Sequence, residues 1–150
     1  ENWEKQEQEI GHGVWCLEVQ SPADGTTDSF FENVNIIVFP ADTTDLRQEN
    51  TKMIQTLKQN LAEFVILDQG VGQVGQHLAA WFVHTFTYQG HTLKVLKCML
   101  INGKEMYLVT STALPSTFSK FKPIFWSLVA SIAFDEPAPP EVERVAPQQN

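Results

Sequence analysis

Asn102-Gly103, set between two alternating apolar runs, constrains this chain more than any other feature. A two-residue type I′ turn needs positive φ at both central residues, and Asn-Gly meets that need at least cost. With Asn102-Gly103 as the loop, Ile101 faces Lys104, Met99 faces Met106, Cys98 faces Tyr107 and Leu96 faces Val109. Gln89-Gly90 acts similarly upstream and sets Phe86 against Leu93, Val83 against Leu96 and Trp81 against Cys98. Three strands therefore form a meander.

Side chains alternate between the faces of a strand with period two, so these registers sort them. One face collects Trp81, Val83, Leu96, Cys98, Leu100, Tyr107 and Val109. The other collects Phe82, Phe86, Leu93, Val95, Met99, Ile101, Met106 and Leu108, interrupted by His84 and Lys97. An antiparallel sheet with one wet face alternates apolar with polar residues, and this one does not. The expectation is an α+β fold, a central antiparallel sheet flanked by helices on both faces in an αβα sandwich.

Two segments supply those helices. Asp45 caps the first, with Gln48 completing a box-like start, and Leu46, Met53, Ile54, Leu57 and Leu61 fall along one face. The second carries Phe118, Phe121, Phe125, Leu128, Val129 and Ile132. Pro123 interrupts it, so its regular part is expected to start there, after a looser turn. Val14 to Gln20, Val34 to Phe39 and Glu63 to Asp68 read as further strands. A turn at Ser21-Pro22-Ala23-Asp24-Gly25 separates the first two.

The chain of 150 residues is long enough for one domain. Its last sixteen residues, 135–150, hold four of the eight prolines and four acids against one arginine, and read as a flexible Pro-rich acidic tail. Residues 1–134 form the folded domain. A formal charge of −8 argues against nucleic acid and against anionic membranes as partners. No apolar run reaches the ~20 residues that a membrane-spanning helix needs. The chain opens on Glu1 rather than methionine, which implies an upstream segment, either a targeting sequence or another piece.

Chemistry-bearing patterns are few. Gly70-Val71-Gly72-Gln73-Val74-Gly75 matches GxGxxG, but strand rather than helix follows and no acid stands where a ribose would need one. Those glycines are expected to mark a bend or bulge between two strands. His77 and His84 have opposite parity on one strand, and His91 pairs about 13 Å from His84, so the four histidines do not share a metal. His84 is expected to be a satisfied, half-buried side chain. Cys16 and Cys98 are either one bridge or two buried thiols, with burial the favoured reading. No GxSxG is present, and Asp24, Asp28, Asp42, Asp45 and Asp68 read as solvated acids of turns and caps. No catalytic, cofactor or metal residue is assigned, no enzyme is expected, and the binding surface is left unknown. Trp15, Trp81 and Phe82 are expected in the core, though they could line a small-molecule or hydrolase pocket beside the helix at residues 45 to 61.

The ordered landmarks Asn2-Trp3, Phe31-Glu32-Asn33-Val34-Asn35-Ile36-Ile37-Val38, the helix to Leu61, Gly75 opening a strand, and Ser131-Ile132-Ala133-Phe134 resemble the PsbP and DcrB superfamily. The resemblance implies a sheet flanked by helices and no enzymatic activity. It also implies a protein-binding role, either as an accessory module of the bacterial envelope, periplasmic or anchored as a lipoprotein, or as a cytosolic chaperone for secretion effectors that forms dimers. In the family a strand precedes the tryptophan that Trp3 matches. Its absence here would leave a sheet edge open.

Overall fold

The computed structural model describes residues 3–11, 14–21, 32–41 and 45–134. Its elements run β1 (Glu4–Gly11), β2 (Val14–Gln20), β3 (Asn33–Pro40), α1 (Leu46–Asn60), β4 (Ala62–Val74), β5 (His77–Tyr88), β6 (His91–Asn102), β7 (Glu105–Ala113) and α2 (Phe118–Ser131). The strands make one antiparallel sheet of seven in the order β1-β2-β3-β7-β6-β5-β4.

The β5–β6 register is the expected one, with Tyr88 opposite His91, Val83 opposite Leu96 and Trp81 opposite Cys98. Gln89 and Gly90 both have positive φ, 51° and 80°, as a type I′ turn requires. The β6–β7 register differs. Asn102 pairs with Glu105, Met99 with Leu108 and Cys98 with Val109, so the loop is Gly103-Lys104 rather than Asn102-Gly103. Of the two loop residues, only Gly103 has positive φ, the pattern of a type II′ turn with glycine first. Each partner has moved by two residues, an even number, so every side chain keeps its face.

All seven residues assigned to the first face lie in one apolar cluster with Phe118, Phe121, Phe125 and Val129 of α2. Phe82, Met99, Ile101, Met106 and Leu108 lie in a second cluster with Leu46, Met53, Ile54 and Leu57 of α1. Asp45 caps α1 by accepting from the backbone N–H groups of Arg47 and Gln48, as its position implied.

Three expectations need correction. β1 was not anticipated, because Glu4 to Glu9 carry neither apolar alternation nor strand-favouring residues; the strand forms at the sheet edge by pairing with β2. β4 is one strand from Ala62 through Val74, not a strand ending at Asp68 before a glycine stretch. Its bulges fall at Ala62/Val65 and Ile66/Asp68, ahead of the glycines. Finally, α2 begins at Phe118 and runs through Pro123. Proline removes the N–H that would meet the Ser119 carbonyl, but Ser119 and Pro123 are both exposed, so that carbonyl is not shut away from solvent. Phe118 and Phe121 meanwhile hold the first turn in the core.

The glycines have packing reasons. A Cβ on Gly70 would stand 2.5 Å from Cζ2 of Trp81, whose indole lies across Gly70 and Gly72 and meets Trp126 edge-on at 5.5 Å. Gly75, at φ 58°, turns β4 into β5, and a Cβ there would stand 2.6 Å from the Ala130 carbonyl oxygen. Only the third glycine, therefore, sits in the bend that all three suggested.

A candidate docking groove

On the first face, α2 contacts β7, β6 and β4, and its cluster also buries Val34 of β3, but past its C-terminal end Trp15 of β2 is left half-exposed. Register places Glu9, Trp15, Val38 and Tyr107 in one cross-strand row, and Glu7, Leu17, Ile36 and Val109 in the next. These residues point the same way as the α2 core. Where α2 ends they wall a groove of about 220 Å³ lined by Glu7, Trp15, Cys16, Leu17, Ile36, Val38, Tyr107 and Ile132. Trp15 is 50% exposed, although its aromatic surface is of the kind that normally supplies core burial.

The chain leaving α2 closes one end of the groove. A His77 ring nitrogen lies 2.7 Å from the Ile132 carbonyl oxygen, and Phe134 packs 4.6 Å from both the His77 and the Tyr107 rings. The Tyr107 hydroxyl donates to Glu105 at 2.8 Å, and burial together with that carboxylate raises its pKa. The rim is acidic. Glu7, Glu9 and Glu105 are exposed on this side, and Lys5, 3.4 Å from Glu7, is the one base beside them on β1.

The second face holds a different pair. His84 is 1% exposed among Phe64, Phe82 and Phe86, with ring centroids 4.9, 5.5 and 5.8 Å away. Neither ring nitrogen makes a hydrogen bond of proper geometry. Burial, then the charge of diagonal neighbour Lys97, depress its pKa to about 4, against a weak opposing effect of the Thr85 backbone. Lys97 donates to Thr110 at 2.9 Å, and burial lowers its pKa to about 8. His84 is thus buried and unsatisfied rather than half-buried and satisfied.

The remaining candidates disperse. Among the described residues no group of three His, Cys, Asp or Glu could hold a metal. His77 and His84 take opposite faces, as their parity required. Cys16 and Cys98 are both free, the first half-buried and the second buried, on opposite faces of the sheet. Burial pushes the Cys98 thiol up to about 12. Asp45 is a cap and Asp68 an exposed residue of β4, whereas Asp24, Asp28 and Asp42, like most of the 21–25 turn, lie outside the described residues. Trp15, Trp81 and Phe82 do not share a pocket beside α1: the two tryptophans take the α2 face, and Phe82 alone is buried beneath α1. Glu32 has a structural role sequence could not show. Its buried carboxylate accepts from Ser21 at 3.2 Å and from Thr117 at 2.6 Å, tying β2, β3 and the start of α2 together.

No family model matches the chain, and no curated protein matches it in sequence. Solved structures do. Protein PA94 of Pseudomonas aeruginosa, of unknown function and described as a putative regulator, superposes with a TM-score of 0.69 at 12% identity, over 89% of this chain and 99% of that one. LpqN of Mycobacterium tuberculosis, involved in cell envelope biogenesis, gives 0.61 at 14% identity over 85% of this chain and 74% of its own. The cyanobacterial PsbP of Synechocystis sp. PCC 6803 gives 0.56 at 10% identity, over 85% and 90%. With seven antiparallel strands, two helices and these neighbours, the chain has a PsbP-like fold.

Proposed function

We propose that this chain is a non-catalytic, protein-binding accessory module of the bacterial cell envelope, and that the groove at Trp15 receives an apolar segment of its partner. The groove carries the reading: a half-exposed tryptophan with Leu17, Ile36, Val38, Tyr107 and Ile132 as its further apolar or aromatic walls, at the end of α2. Apolar concavities rimmed by polar residues mark interaction sites. The acidic rim selects a segment with basic flanks, and it argues against the chain's own residues 135–150, which are themselves acidic. The two apolar clusters act as the inner layers of an αβα sandwich, which keeps the sheet rigid under the groove.

One further consideration supports an extracytoplasmic setting, free or lipid-anchored: LpqN, which shares the fold, is involved in cell envelope biogenesis. The competing reading, a cytosolic secretion chaperone, uses the same groove for an apolar helix and requires a dimer.

The test compares wild type with Trp15→Glu, which alters a half-exposed residue and spares the core. A synthetic apolar decapeptide with lysines at both ends is titrated into each protein while the backbone amide signals of Leu17, Ile36 and Val38 are followed. Saturable shifts, lost in the variant and at least fivefold weaker for a glutamate-ended peptide, are expected. Equal binding of both peptides, or of both proteins, refutes the acidic-groove reading. Dimers in light scattering together with indifference to peptide charge would favour the chaperone.

A further inference from the structure

The Trp15 groove has a direction and a size that its occupant must match. The row Glu9, Trp15, Val38 and Tyr107 crosses β1, β2, β3 and β7 in turn, so from end to end it spans three gaps between strands. At about 4.8 Å per gap, that is about 14 Å. The neighbouring row through Leu17 and Ile36 lies two residues along the strands, about 7 Å away, and one row further Val34 is already buried in the α2 cluster. The floor is therefore a channel about 14 Å long and about 7 Å wide, running across the strands, with Ile132 at its side.

Both ends of the channel are acidic. Glu9 stands at the β1 end, and Glu105 lies two residues from Tyr107 on β7, where it accepts from the Tyr107 hydroxyl at 2.8 Å. Among the described residues no base pairs with either carboxylate, whereas Glu7 has Lys5 at 3.4 Å. An α-helix with its side chains is about 10 Å across, too broad for a floor of this width. An extended chain fits, and the protein already lays one on this face. Past α2, Ile132 takes extended backbone at φ −61° and ψ 122°, and the Phe134 ring packs 4.6 Å from that of Tyr107.

Building on the groove reading above, we propose that the partner segment is an extended stretch laid across the strands, with two basic residues four positions apart. One meets Glu9 and the other Glu105, and the apolar side chains between them rest on Trp15 and Val38. Four extended steps at about 3.3 Å cover about 13 Å, the length of the channel. A helix would need about nine steps, at about 1.5 Å each, to place its charges over the same two carboxylates. Spacing therefore reports conformation, and the paired charges set which segments are accepted.

Two synthetic decapeptides of one composition test this, each with three central apolar residues, two lysines and serines elsewhere. One carries its lysines four positions apart and the other nine. Both are titrated into the intact chain while the backbone amide signals of Ile36 and Val38 are followed. The four-apart peptide should bind at least fivefold tighter, and proline at its central position, which breaks a helix but suits an extended chain, should cost less than threefold. Glu9→Gln and Glu105→Gln should each weaken it at least threefold, the second while keeping an acceptor for the Tyr107 hydroxyl. Glu4→Gln, on the opposite face of β1, should leave it unchanged. Tighter binding of the nine-apart peptide, or loss of binding on proline substitution, overturns the proposal. Equal binding of the two peptides by wild type, lost in Trp15→Glu, overturns the spacing and conformation while the groove stands. Saturable binding of neither overturns both.

Discussion

His84→Leu should change how stability responds to pH. In the folded protein the imidazole has a pKa of about 4 against an ordinary 6.5, and it is 1% exposed, so solvent screening takes little from the effect. Between those two values the unfolded chain binds a proton that the folded chain refuses. Stability is therefore full above pH 6.5, falls as pH drops toward 4, and loses nothing more from this group below that. At about 1.4 kcal/mol per pKa unit, the shift is worth about 3 kcal/mol, of which most, about 2–3 kcal/mol, is expressed between pH 7.5 and 4.5. Carboxylates also respond in this range, so the quantity to measure is the difference between wild type and variant. Urea unfolding at the two pH values supplies it, given equal m-values. Leucine has no proton to refuse and leaves no buried nitrogen unpaired, so the variant should match or exceed wild type at pH 7.5 and lead it by about 2–3 kcal/mol more at pH 4.5. A difference that stays constant within about 0.5 kcal/mol across the two conditions would refute the reasoning. Lys97→Met provides a cross-check: removing the neighbouring charge should raise the His84 pKa and shrink the acid-side loss.

Three further outcomes follow from the geometry. Gly75→Ala meets both a left-handed backbone and the Ala130 carbonyl 2.6 Å from its new Cβ, so thermal unfolding should show a loss of about 2 kcal/mol or more, with Gly70→Ala losing about 1–3 kcal/mol against the Trp81 ring. Gln89 holds φ 51° in a type I′ turn, and Gln89→Asn should stabilise by about 0.5–1 kcal/mol in denaturant unfolding; no change would mean the turn is not I′ in solution. Iodoacetamide on the native protein should modify Cys16 well before Cys98, whose thiol is buried and held far from ionisation; mass spectrometry showing equal rates would contradict the burial.

What the sequence reveals here depends on how local the cause is. Face assignment for β5, β6 and β7 was legible because alternation is set within each strand. The β5–β6 register was legible because Gln89-Gly90 fixes its own turn. The β6–β7 register was not, since Asn102-Gly103-Lys104 admits two loops and the choice depends on pairing along the full strands. β1 left no local signal, for a charged edge strand forms only because β2 offers it a partner. Gly70 and Gly72 read as a bend or bulge, and only the Trp81 indole lying across them from the next strand gives their reason. The groove was the least legible feature. Trp15 read as core, and only the place where α2 stops decides that it is left half-exposed. The burial of His84 without a partner likewise depends on Phe64, which arrives from another strand.

The even slip of the β6–β7 hairpin has a practical corollary. Gly103 and Lys104 are exposed, and nothing lies within 4 Å of where a Gly103 side chain would begin. Epitope grafts at this tip should therefore obey a counting rule: inserts that advance the return strand by pairs keep its greasy and wet sides in place. Those that advance it by a single step, unless a bulge absorbs the extra residue, turn the strand inside out and expose Met106 and Leu108 to the wrong helix.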